Sequence, residues 1–83
     1  MEKLIWSFKQ GVWTAPFESL IMQVTRTEDG KHYRVQVLVF ATKEPVKGID
    51  LVVPRLDLAW RFATLYTESH NATVALRALV AEQ

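Results

Sequence analysis

Eighty-three residues are enough for one domain and no more, and a chain this short buries only about 60–65% of the surface it exposes when unfolded. Small domains usually compensate with disulfides, a metal or oligomerisation; without cysteine, and with only His32 and His70 as histidines, the first route is closed and the second nearly so. Hydrophobic residues make up 49% of the chain, enough for a rich core, and a net charge of +1 lacks the basic excess of a compact nucleic-acid binder.

The segment Met1-Glu2-Lys3-Leu4-Ile5-Trp6 lacks the apolar run of a secretory signal. No stretch approaches the ~20 apolar residues of a membrane-spanning helix. The expectation is a cytoplasmic protein without a membrane partner.

Leu4, Trp6 and Phe8 alternate with Ile5, Ser7 and Lys9, which predicts a first strand over 3–9. Gly11 and Thr14-Ala15-Pro16 interrupt it. Leu20, Met22 and Val24 alternate with Ile21, Gln23 and Thr25, predicting a second strand over 18–26. Asp29-Gly30 then marks a hairpin, because glycine accepts the positive φ such turns require. The third strand, 33–42, has the clearest period of two: Tyr33, Val35, Val37, Val39 and Ala41 against Arg34, Gln36, Leu38, Phe40 and Thr42. A polar turn over 43–48 leads to a fourth strand, 49–53, closed by Pro54.

From Arg55 the period changes. Leu58, Phe62, Leu65, Ser69, Ala72, Leu76 and Leu79 step by four and three, one helical stripe over 55–81. The weak helix formers Ser69-His70-Asn71 are the one place where it could break. The predicted fold is therefore α+β in a single domain, 1–83: a four-stranded antiparallel meander followed by one long C-terminal helix packed on one face.

Two features of this pattern point outward. Ile5, Ile21, Leu38, Phe40 and Val52 share the parity of the sheet's second face, where polar residues are expected. A continuous helix of this length would span ~40 Å against strands of ~20–27 Å, so its apolar end would overhang the sheet. A kink near Ser69 that folds the last segment back onto its own core would meet the second condition; a homodimer meets both. The residues expected at contacts are Ile21, Leu38, Phe40, Trp60, Leu76 and Leu79.

Catalytic chemistry finds little support in the sequence. Ser69 and His70 are adjacent on a predicted helix, so their side chains diverge by about 100°. Glu68 and His70 lack the helical spacing that converges on a metal, and Gly11, Gly30 and Gly48 stand alone rather than in a phosphate loop. The sequence reading is thus a non-enzymatic protein–protein interaction or regulatory module with no cofactor, pairing with itself and with a protein partner. The alternative is single-stranded nucleic-acid binding, for which Lys9, Trp13, Arg34, Lys43 and Lys47 supply cations and a stacking platform. The strands-then-helix order is similar to that of small dimeric single-strand-binding coactivators, a likeness of element order.

Overall fold

The computed structural model describes residues 4–83 and has two layers, a sheet and a pair of helices. The sheet contains β1 (Ser7–Lys9), β2 (Val12–Phe17), β3 (Leu20–Arg26), β4 (Tyr33–Val39) and β5 (Pro45–Val53), in that spatial order. Every neighbouring pair is antiparallel, so the meander is confirmed with five strands instead of four. Lys3, where the expected first strand begins, lies outside the described residues. Leu4 and Trp6 pack on the core ahead of β1 without joining the ladder.

The additional strand is β2, which sequence periodicity passed over as an interruption. Gln10 (φ 52) and Gly11 (φ 78) form a two-residue connection with both residues left-handed, the geometry that suits the twist of a tight hairpin. Pro16 then sits inside a strand, opposite Ile21. It is tolerated because β1 stops at Ser7, opposite Thr14, so no strand on that side needs the N–H that proline lacks. At the other edge, β4 advances two residues, from Gln36 to Leu38, while β5 runs five, from Asp50 back to Pro45. The surplus forms a bulge that takes Lys47 and Gly48 (φ 82) out of the ladder, so much of the expected polar turn over 43–48 belongs to β5.

Asp29 organises the β3–β4 loop. Its carboxylate accepts from the Thr27 hydroxyl and from the Lys31 amide (2.9 Å), and His32 Nδ1 lies 3.3 Å away. These hydrogen bonds, Thr27 first, hold the Asp29 carboxyl below its ordinary titration range.

The single long helix is replaced by two, α1 (Leu56–Ser69) and α2 (Ala72–Ala81). His70 takes a left-handed conformation (φ 54), and its N–H closes α1 on the Tyr66 carbonyl at 2.7 Å. Asn71 then caps α2 by accepting from the Val74 amide at 3.1 Å. Ser69 Oγ donates back to the Leu65 carbonyl at 2.9 Å, a bond that competes with helix continuation. The His70 ring fixes the break in space by packing on Phe17 and meeting Glu18 at 3.1 Å. α2 therefore folds back along α1, and Arg61 near the start of α1 forks onto Glu82 at the end of α2 at 2.6–3.1 Å. The Arg61 hydrogen bonds hold the Glu82 carboxyl below its usual range and raise the guanidinium in turn.

One face of the sheet forms the core with these helices. Met22, Val24, Val35 and Val37 are fully buried, with Ala15 and Phe17 from β2 beside them. Ala59, Phe62, Ala63, Leu65 and Tyr66 of α1 cover them, joined by Ala75 and Leu79 of α2. The overhang inferred from a continuous helix disappears. Leu79 is corrected from a contact residue to a core residue, 5% exposed.

Candidate interaction surface

The sheet's second face has no helix over it among the described residues. Along β3 and β4, burial alternates between the inner residues and their outward neighbours, as one covered face requires. The antiparallel register arranges the outward residues in three rows across the strands. Pro16, Ile21, Leu38 and Pro45 form an apolar row from β2 to β5. Ser7, Thr14, Gln23, Gln36 and Asp50 form a polar row beside it, and Lys9, Val12, Thr25, Arg34 and Val52 a mixed row beyond. Ile21 and Leu38 are direct cross-strand partners, so the clustering expected of them is present.

The other expected contact residues are dispersed. Phe40 lies just past the end of β4, 55% exposed, with the Lys43 ammonium 4.0 Å above its ring. Trp60 lies on α1 and packs near Trp6, with ring centroids 6.3 Å apart. Leu76, 40% exposed, lines a groove of about 110 Å³ between α2 and β5 with Ile49, Leu51 and Phe62. The six residues therefore divide into an open-face group (Ile21, Leu38, with Phe40 at its end), a helical-layer group (Trp60, Leu76) and the buried Leu79. Pro16, Pro45 and Val12 belong to the open face and escaped the sequence reading. For Pro16 and Val12 the missing signal was the two-residue turn that makes them strand residues.

The nucleic-acid candidates do not share one surface. Lys9 and Arg34 are on the open face, three strands apart, and Arg34 is 3.2 Å from Asp50. Trp13 has helix-side parity, its ring between those of Phe8 (4.5 Å) and Tyr33 (6.1 Å). Lys43 is on the Phe40 ring and Lys47 in the β5 bulge.

Among the described residues no Asp, Glu, Lys, Arg, His, Asn, Gln, Ser or Thr is buried, and no three His, Asp or Glu gather where they could hold a metal ion. No described helix is long and apolar enough to cross a membrane. The fold and this surface define a class, a two-layer α+β domain with one open sheet face. Comparison with protein families, curated proteins and solved structures returned no match.

Proposed function

We propose that this chain is a small protein–protein interaction or regulatory module, without catalysis of its own, that acts as a homodimer through its open sheet face. The observation that carries the reading is the apolar row Pro16, Ile21, Leu38 and Pro45 on a face that no described element covers. Of the three charged residues in its rows among the described residues, Lys9, Arg34 and Asp50, the last two are already paired. Low charge around an apolar strip is the composition of an interface core. The break at His70 withdraws support from pairing through an overhanging helix, so self-association rests on the sheet alone.

Light scattering across a dilution series tests this directly. Wild type is expected to change from dimer to monomer on dilution, and Leu38→Glu to stay monomeric with an unchanged circular dichroism spectrum. Wild type that is monomeric at every concentration sinks the homodimer. Single-strand binding has weaker support, because Trp13 lies on the opposite side of the sheet from Lys9 and Arg34.

A further inference from the structure

The row structure of the open face restricts how two copies can meet. We infer that the dimer stacks sheet on sheet about a two-fold axis running along β3, with Lys9 of each copy against Asp50 of the other. This deepens the homodimer reading and rests on it.

In an aligned stack, with the strands of the two sheets within about 30° of one another, a two-fold axis between the sheets runs close to the strand direction or close to its perpendicular. An axis across the strands exchanges the two outer rows. Each strand then lies on its own copy, which sets Leu38 on Arg34 and the Asp50 carboxylate on Asp50 of the other copy, a like-charge contact. An axis along the strands keeps each row on itself. Because β3 is the middle strand of five, that axis sets β1 over β5 and β2 over β4. Ile21 then faces its own copy, Pro16 faces Leu38, Gln23 faces Gln23 and Thr14 faces Gln36. The apolar row closes on itself, the polar row meets groups that can hydrogen-bond, and in the mixed row Thr25 faces Thr25 while Arg34, held by Asp50 of its own chain, faces Val12.

Charge follows the same arrangement. Among the described residues of the three rows, the Arg34–Asp50 pair leaves Lys9 as the cation without an acidic partner. Stacking brings Lys9 of β1 over Val52 of the opposing β5, one row from Asp50, which a lysine side chain reaches. Within one chain the same two residues sit on opposite edge strands, about 19 Å apart at the usual strand spacing. Any energetic coupling between Lys9 and Asp50 is therefore a signature of the dimer.

The footprint sets the strength. With three residues in β1, six in β2 and seven in β3, the overlap of the stacked sheets is about 400 Å² a side, or about 800 Å² in total, the size of a weak or transient contact. The dimer is correspondingly weak and should dissociate on dilution.

Charge exchange tests the arrangement. Lys9→Glu and Asp50→Lys are each expected to weaken self-association roughly tenfold, since each places like charges at both symmetry-related contacts. An equimolar mixture of the two variants is expected to recover wild-type association, because both contacts in the mixed dimer are again opposite in sign. A second measurement avoids any folding defect of Asp50→Lys. The chain has no cysteine, so Gln23→Cys and Val80→Cys each introduce a single thiol. A short bifunctional maleimide should link Gln23→Cys into a covalent dimer and leave Val80→Cys, on the outer side of α2, unlinked. A wild-type dimer without rescue on mixing, or one linked through Val80→Cys instead, overturns the sheet-stacked geometry and leaves the homodimer standing. A monomeric wild type overturns both.

Discussion

At the scale of single residues, the outward or inward placement of the last helix decides what a substitution does. Leu79 contributes to the core whereas Leu76 is 40% exposed, although both belong to the same stripe in the sequence. Leu79→Ala is expected to cost 2–5 kcal/mol, roughly the range for removing a buried leucine side chain, and Leu76→Ala less than about 1 kcal/mol. Urea denaturation of the two variants checks this, and equal losses would return Leu79 to the surface. Gln10 pays for its left-handed backbone without glycine's freedom. Gln10→Asn creates the Asn-Gly pair that such hairpins favour and should raise stability by up to about 1 kcal/mol in the same assay.

Among the elements, the clearest sequence signals gave the correct structure and the in-phase ones misled. β4 and the Asp29-Gly30 turn were legible because a strict period of two ends at a residue pair built for the turn. β2 was not, because a central proline reads as a strand breaker until the short reach of β1 is known. The place of the helix break was legible at Ser69-His70-Asn71, but the four-and-three stepping favours a continuous helix because it runs through Ser69 and Ala72 without a fault. The left-handed residue at His70 then resets the helix orientation, so Ala75 and Leu79 point inward and Leu76 turns outward. Local chemistry did carry the signal, since Ser69 and Asn71 are the residues that bond to their own backbone. Asn71→Ala should therefore cost about 1 kcal/mol through loss of the α2 cap, measurable as a lower urea midpoint. The candidate site was legible to the same degree: parity found Ile21 and Leu38, and the missed strand hid Pro16 and Val12.

The clasp between the two helices titrates. Arg61 keeps the Glu82 carboxyl below its ordinary value, so the stabilisation is fully present above that ordinary value and is lost as pH falls through the folded one. Asp29 contributes on the same acid side. The stability difference between wild type and Glu82→Gln is expected to be present at pH 7 and to vanish at pH 2. A difference that persists unchanged in acid would assign the effect to something other than the carboxylate's charge.

For the whole molecule, the size of the chain and the open face bear on one quantity, the dependence of stability on concentration. A dimer that buries the face stabilises the folded state by mass action, so the Tm of wild type should rise with protein concentration. In Leu38→Glu it should not. A wild-type Tm independent of concentration across the micromolar range would contradict the proposed association.

The bulge in β5 has a consequence for assembly of another kind. β5 is a nine-residue strand paired on one side with β4, and a long unpaired strand edge is the template on which other chains add to build fibres. Pro45 offers no N–H to an incoming strand, and the bulge sets Lys47 and Gly48 where continuous pairing would be needed. At the opposite edge β1 provides only three residues, the last of them Lys9. Growth by strand addition is thus obstructed at both ends of the sheet. In the proposed dimer, association through the remaining face would stop at two copies, because a stacked pair leaves no open sheet face to receive a third.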